Sequence, residues 1–255
     1  MVTGLDRFQA HFADHASRYA LIGGTASSLA MEELGGSFRA TKDLDIVLCV
    51  EALDREFVRA FWDFISQGGY ENRQKSTGKR LFYRFYGPTQ PGFPAMLELF
   101  SRLPDALDPK EGATLTPVPV DDEAASLSAI LMDDDYYALV MERRTVVRGI
   151  SLVGAETLIP LKARAYVDLS NRSAAGERVD SRNIAKHKND IFRLSTVLDR
   201  GATVGLAARI QADLREAFAR LAGEPADLKA FGISGLQLPE LLAELGRIYG
   251  LDRDR

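Results

Sequence analysis

The sequence has very little cysteine, no long apolar run and no excess of positive charge. Cys49 is the only cysteine among 255 residues, so no intramolecular disulfide can form, and we expect a reducing, cytoplasmic location. No apolar run approaches the ~18 residues that span a bilayer, so no membrane partner is expected. The charged residues near the N-terminus do not fit a signal peptide. The formal net charge is −4, so any contact with nucleic acid must come from local patches.

The predicted elements divide the chain into a mixed first half and a helical second half. The first half has predicted strands at 19–22, 45–50, 80–87 and 95–100 and predicted helices at 5–18, 25–34 and 51–66. From Ala155 onward every periodic segment is helical, namely 156–170, 183–198, 205–222 and 235–249. We therefore expect a mixed α/β sheet with flanking helices over residues 1–153, followed by a helical domain over 154–255.

The stretch between these halves carries weaker signals. Residues 101–135 are rich in Asp and Pro, and we expect irregular structure there. The next three apolar segments, within 136–154, predict a short meander of strands. The polar segment 172–182 is predicted to be a loop.

A strand-to-helix turn is predicted at Gly23-Gly24. Glycines allow a ligand to approach the backbone closely, and the N-terminus of the following helix presents free N–H groups to an anion. The pair fits neither the dinucleotide-binding fingerprint nor a P-loop, because no lysine follows it. By itself it is also explained by a plain structural turn.

Asp43 and Asp45 lie at the start of the apolar strand that follows. Side chains two apart on a strand share one face, so both carboxylates face one site while Leu44 and Ile46 face the core. A hard cation relieves the repulsion between them, and Mg²⁺ prefers one or two carboxylates together with phosphate oxygens. The alternative is a solvated strand start with two surface acids.

Glu98 interrupts the otherwise apolar segment 95–100. A glutamate in a buried strand is costly unless it is paired or bound to metal. If this strand lies beside that of Asp45, three carboxylates converge and fit a one- or two-metal site for phosphoryl or nucleotidyl transfer. Such crowding is predicted to raise at least one carboxylate pKa. The alternative is a glutamate on the solvent face of an edge strand.

Two charged residues of the helical half lie on or beside apolar stripes. Lys162 shares a stripe with Leu158, Tyr166 and Leu169, so it either extends to solvent or reaches a buried anion. Asp190 borders another stripe and by itself is explained as a surface acid.

Four motifs, in order, carry a resemblance to a known family. They are GGTASSLAMEELGGSFRATKDLDIV (23–47), MLELF (96–100), LIPLKARAYVDL (158–169) and KHKNDIFRL (186–194). Together they resemble the nucleotidyltransferase superfamily, specifically the AbiEii/AbiGii-like toxins of type IV toxin–antitoxin and abortive-infection systems. The resemblance covers about residues 17–200. Its first motif is the most specific, because Gly-Gly, Arg39, Thr41 and Asp-x-Asp recur together at this spacing.

The resemblance implies a nucleotidyltransferase fold and a metal-dependent reaction. A nucleotide would pass from an NTP to an acceptor hydroxyl, and pyrophosphate would leave. Asp43 and Asp45 would hold Mg²⁺, or Mn²⁺ in its place, and Glu98 would be a third metal ligand or the catalytic base. Many members of the superfamily have aspartate where this chain has Glu98.

The resemblance also implies a nucleotide-binding set. Gly23 and Gly24 would approach the triphosphate, and Arg39 would steady the loop or contact a phosphate. The superfamily usually has Gly-Ser at this turn, so the missing hydroxyl contact would have to come from Thr25.

Lys162 would contact the nucleotide phosphates, and Asp190 would orient Lys162 or the nucleotide. Because these two residues belong to the predicted helical domain and the carboxylates to the first domain, the sequence predicts a cleft at the junction, with the helical domain as a lid.

Three hypotheses remain for the acceptor. The toxin resemblance implies RNA, specifically tRNA, and an antitoxin protein as a possible partner. The basic and aromatic segment 73–84 is a candidate RNA patch or a solvated hairpin. A cationic small molecule such as an aminoglycoside would suit the acidic runs 121–123 and 133–135. The third hypothesis is a module that binds nucleotide or a partner without catalysis.

Overall fold

The computed structural model describes residues 2–36, 38–39, 41–73, 82–102 and 122–253. The strands of this part of the chain are β1 (Tyr19–Ile22), β2 (Asp43–Leu48), β3 (Glu71–Arg73), β4 (Phe82–Tyr86), β5 (Met96–Phe100), β6 (Arg144–Val147) and β7 (Ile150–Val153). Its α-helices are α1 (Leu5–His11), α2 (Gly23–Glu33), α3 (Arg55–Gly68), α4 (Asp122–Leu131), α5 (Asp134–Arg143), α6 (Ala155–Ala174), α7 (Ser181–Ser195), α8 (Ala208–Ala222) and α9 (Leu238–Ile248). Short 3₁₀ helices occupy Ala13–Arg18, Val50–Ala52, Leu228–Phe231 and Leu251–Arg253.

The strands form one mixed sheet in the order β3-β4-β5-β2-β1-β7-β6. The pairs β2–β5 and β1–β7 are parallel, whereas β1–β2, β3–β4, β4–β5 and β6–β7 are antiparallel. The prediction of a mixed α/β sheet with flanking helices and a helical C-terminal part is therefore confirmed. The conditional prediction that the strand of Glu98 lies beside that of Asp45 is confirmed by the β2–β5 pairing.

One face of the sheet is covered by aromatic side chains of α1 and α3. Phe8 of α1 packs edge-to-face on Tyr19 of β1, with ring centroids 5.5 Å apart. Phe61 of α3 contacts Phe85 of β4 with centroids 5.4 Å apart. Because side chains alternate along a strand, this packing leaves the residues at odd positions of β2, including Asp45, on the opposite face.

Helix α3 has local signals at both ends that explain its length. Asp54 caps its N-terminus, and the Asp54 side chain accepts a hydrogen bond from the backbone N–H of Phe57 at 2.8 Å. Gly69 ends the helix in the left-handed conformation at φ 59°, which suits glycine. The helix therefore ends before β3 begins.

The described residues form two compact units, which lie within Met1–Glu32, Ser37–Val120 and Val140–Gly154, and within Glu33–Gly36, Asp121–Leu139 and Ala155–Arg255. The first contains the sheet. In the second, α6 packs against α4, α7 and α8. Helix α6, which has 20 residues, is buried on most sides, and its buried residues include Leu158, Ile159 and Val167. Among the described residues, none of the helices has the length and apolar character that a membrane span requires.

Two of the predicted elements were wrong. Residues 136–141 form part of helix α5, not a strand. Tyr136, Tyr137 and Val140 are buried at helical spacing, and the Asp133 carboxylate accepts from the N–H of Asp135 at the start of the helix. Within the segment 101–135, predicted to be irregular, α4 is a regular helix. Residues 103–121 of that segment lie outside the described residues.

Candidate active site

Three charged side chains line up across neighbouring strands on the face away from the aromatic core. Glu98 of β5 lies opposite Asp45 of β2 on one side and opposite Arg84 of β4 on the other. Residues paired in this way point to the same face of the sheet. We call Arg84, Glu98 and Asp45 the carboxylate row.

The carboxylate of Asp45 lies against the Gly23-Gly24 turn. Its Oδ2 accepts a long hydrogen bond, 3.4 Å, from the backbone N–H of Gly24. Gly23 has φ +64°, and a Cβ at this position would overlap the same Oδ2. Helix α2 begins at Gly23 itself, so the Gly-Gly pair forms the first turn of the helix and does not precede it. The turn and the Asp-x-Asp motif therefore meet at one point.

Other residues of the first motif also gather at this turn. A Cβ at Gly24 would lie 2.7 Å from Oγ1 of Thr41 and 3.6 Å from Nη2 of Arg39. The Arg39 guanidinium therefore lies close to the backbone at the start of α2, near the predicted phosphate contact. Thr41 packs against the same glycine. The sequence predicted no separate role for Thr41 beyond its place in the first motif.

Thr25 has a different place from the one predicted. Its side chain is fully buried, and its hydroxyl donates to the backbone carbonyl of Asp43 at 2.7 Å. This hydrogen bond ties the first turn of α2 to the start of β2. A phosphate contact through the Thr25 hydroxyl does not fit this arrangement.

Glu98 is held between a cation and an acid. Nε of Arg84 donates to Oε1 of Glu98 at 2.6 Å, and Nη2 of Arg84 forms an ion pair with the same oxygen. The Glu98 side chain also hydrogen-bonds to that of Asp45. Burial, followed by the charge of Asp45, raises the pKa of Glu98 to about 9, although Arg84 acts in the opposite direction. The predicted rise of a carboxylate pKa is therefore found at Glu98, with burial as its first cause.

The three predicted acids do not form a single cluster. Asp45 and Glu98 are in contact, whereas Asp43 lies opposite Met96 on the same face, two positions earlier in β2. In the part of the chain that the structure describes, no group of three or more His, Cys, Asp or Glu side chains is close enough to hold a metal ion. The protein ligands available at one point are therefore a pair of carboxylates.

In the second unit, Lys162 of α6 and Asp190 of α7 form a buried ion pair. Nζ of Lys162 lies 3.3 Å from Oδ2 of Asp190, and their side chains are 6% and 0% exposed. Arg193 lies 3.6 Å from Oδ1 of the same aspartate. The alternatives of a lysine that extends to solvent and a surface aspartate are both excluded. The cleft predicted between these residues and the carboxylates stays a prediction.

Two residues of the candidate RNA patch, Tyr83 and Arg84, are not on an open surface. Tyr83 is 2% exposed and belongs to the aromatic face, and Arg84 is bound to Glu98. The other basic residues of the patch at 75–80 lie outside the described residues. Sequence reasoning missed the Arg84–Glu98 pair, although each residue is a lone charge inside an apolar strand. Such lone opposite charges are expected to pair when their strands are neighbours.

Substitution of Gly23 by alanine is expected to disturb the site and the fold together. The new Cβ would be strained at φ +64° and would displace the Asp45 carboxylate. We expect a loss of about 1–3 kcal/mol in unfolding free energy in urea. Gly35→Ala is the matched control, because Gly35 has φ +75° but no atom within 4 Å of its Cβ position. Equal losses in both variants would contradict the close contact at Gly23.

Stability is expected to depend on pH through Glu98. Because the pKa of Glu98 is raised to about 9 from its ordinary value of 4.5, the folded protein binds a proton that the unfolded chain has released. This contribution is complete below pH ~4.5 and is lost as pH rises towards ~9, by at most about 1.4 kcal/mol for each pH unit. Glu98→Gln should flatten this slope in urea unfolding from pH 5 to pH 9. A slope equal to that of the unmodified protein would show that Glu98 does not titrate in this way.

No family model matches the sequence, and neither does any curated protein. A solved structure of an antigenic nucleotidyltransferase-like protein from Paracoccidioides brasiliensis aligns with 94% of this chain and 94% of its own. The identity is 15% and the TM-score is 0.44, so the alignment carries no argument about the reaction.

Proposed function

We propose that the protein is a nucleotidyltransferase that uses Mg²⁺, or Mn²⁺, to transfer an NMP from an NTP to an acceptor hydroxyl. One observation carries the proposal: the Asp45 carboxylate lies between Glu98 and the first turn of α2 at Gly23-Gly24. Carboxylates for a divalent cation and N–H groups for a phosphate therefore meet at one point.

The carboxylate pair fits a divalent cation. Asp45 and Glu98 are close enough to hydrogen-bond, and burial and the charge of Asp45 raise the pKa of Glu98, so a proton competes with the ion for this pair. Asp45 and Glu98 would hold the ion, and the role of Asp43 as a further ligand rests on the family resemblance. Mg²⁺ takes few protein carboxylates and completes its shell with water and phosphate oxygens. When bound, the ion neutralises charge that develops on the triphosphate.

In the proposed reaction the acceptor oxygen attacks the α-phosphorus and pyrophosphate leaves with the electrons of the broken P–O bond. Gly23, Gly24 and Arg39 contact the triphosphate, because they gather at the start of α2. Glu98 receives the proton of the acceptor hydroxyl or serves as the third metal ligand. Lys162 contacts the phosphates and Asp190 orients it. That last assignment rests on the family resemblance and on their ion pair.

The acceptor that we propose is RNA, specifically tRNA, and the protein would then be an AbiEii-like toxin with an antitoxin partner. This part rests on the motif resemblance. The aminoglycoside alternative relied on acidic runs, of which 133–135 lies at the start of α5 and serves as helix-terminal charge and cap. The contact of the Asp45–Glu98 pair with the Gly-Gly turn favours catalysis over a binding module.

The test is an incubation of the protein with total tRNA, Mg²⁺ and each α-labelled NTP in turn. Incorporation of label into RNA would support the proposal if no label is incorporated in a parallel reaction that contains EDTA. Parallel incubations replace tRNA with an aminoglycoside or with no acceptor. Label in the aminoglycoside alone would reassign the acceptor, and no product with any NTP or acceptor would favour the binding module.

A further inference from the structure

The carboxylate row already contains a permanent cation. Two nitrogens of the Arg84 guanidinium bind Oε1 of Glu98, and the two side chains are 11% and 10% exposed. A guanidinium stays protonated at every pH at which a protein is folded. The positive charge beside Glu98 is therefore fixed.

The strand register determines how this charge is placed. Arg84 and Asp45 lie on strands that flank the strand of Glu98. Neighbouring strands are about 4.8 Å apart, so Arg84 and Asp45 approach Glu98 from opposite sides. A divalent ion that bound Glu98 from the β4 side would have to displace the guanidinium.

We propose that Arg84 takes the place of a second metal ion, so that the carboxylate row accepts one divalent cation, from the side of Asp45. The inference rests on the proposed function for the presence of a divalent ion. The carboxylates of the row, Asp45 and Glu98, could share two metal ions only if Glu98 were open on both sides, whereas Arg84 already occupies its β4 side. Arg84 acts through Glu98 and is a positioning residue.

Counting bound Mn²⁺ tests this directly. The unmodified protein, without nucleotide, is titrated with Mn²⁺, and free Mn²⁺ is read from its electron paramagnetic resonance signal. The ions that belong to the row are those lost in Asp45→Ala. We expect one such ion per chain. Two ions would overturn the inference and leave the proposed function standing, whereas none, with or without each NTP, would overturn both.

Substitutions at Arg84 give an independent test through the sign of the effect. Removal of a positive charge next to a divalent ion should tighten Mn²⁺ binding, so Arg84→Gln should lower the Mn²⁺ dissociation constant about tenfold. Arg84→Lys keeps the charge and should stay within about twofold of the unmodified protein. A purely structural role for Arg84 would instead weaken binding in both variants, and that result would overturn the inference.

The matched control is Arg59→Gln, which removes one positive charge from an exposed position on α3, the helix that covers the opposite face of the sheet. It should leave Mn²⁺ binding unchanged. An equal tightening in Arg59→Gln would show that net charge, and not the place of Arg84, sets the affinity. If Arg84→Gln does not fold, as judged by circular dichroism, the Mn²⁺ count in the unmodified protein still decides.

Discussion

The Asp45→Ala variant should transfer no detectable label from any α-labelled NTP, with a loss of more than about a hundredfold. Asp45 is the residue at which the Gly-Gly turn and Glu98 meet. Its loss removes a metal ligand and leaves the first turn of α2 without the carboxylate that faces it. The measurement is label transfer to total tRNA at saturating Mg²⁺.

The fold of this variant should survive, because Asp45 is partly exposed and its hydrogen bond to Gly24 is long. Burial is the first cause of the raised pKa of Glu98, and removal of the Asp45 charge relieves the second cause, the repulsion between the two carboxylates. Urea unfolding should therefore show no large loss of stability. Asp14→Ala, at an exposed position in the 3₁₀ helix Ala13–Arg18, is the control for removal of one aspartate. Undiminished transfer by Asp45→Ala would show that the metal site is elsewhere.

The pairing of Asp45 with Glu98 could be predicted because both lie in strands with strong local signals. Apolar runs such as those of β2 and β5 are buried on at least one face in almost any arrangement, and a lone glutamate inside one requires a partner. The only assumption was that the two strands are neighbours, which the parallel β2–β5 pairing confirms. The requirement of a buried glutamate for a partner therefore limited which residues could lie beside Glu98.

Arg84 was not assigned in the same way, although β4 and β5 are consecutive antiparallel strands and consecutive strands commonly pair. Considered by itself, Arg84 belongs to a basic and aromatic segment typical of RNA contacts. In the structure Arg84 lies opposite Glu98 and therefore belongs to the carboxylate row.

Helix α5 shows where local preference misleads. Two adjacent tyrosines and a valine favour a strand, yet their burial follows helical spacing and the acids before them suit a helix start. Tyr136 also donates a hydrogen bond from its hydroxyl to Asp213 of α8 at 3.0 Å. Tertiary contacts of this kind override a short propensity signal.

Mg²⁺ and NTP are expected to stabilise the protein together by more than the sum of their separate effects. Because the pKa of Glu98 is raised, Mg²⁺ alone must compete with a proton at the Asp45–Glu98 pair and gains few ligands. Phosphate oxygens of an NTP supply the missing ligands. A ligand that binds only the folded state raises the unfolding midpoint by mass action, and a tenfold tightening corresponds to an excess of about 3 °C for a chain of this size.

The measurement is thermal unfolding with Mg²⁺, with each α,β-methylene NTP, and with both, because these analogues prevent turnover. Asp43→Asn should erase the excess. The hydrogen bond from Thr25 uses the backbone carbonyl of Asp43, so this variant keeps the link between α2 and β2 and changes only the carboxylate. Asp14→Asn should leave the excess unchanged. Strictly additive shifts in the unmodified protein would mean that metal and nucleotide do not share a site at Asp43 and Asp45, and the protein would then be better described as a binding module.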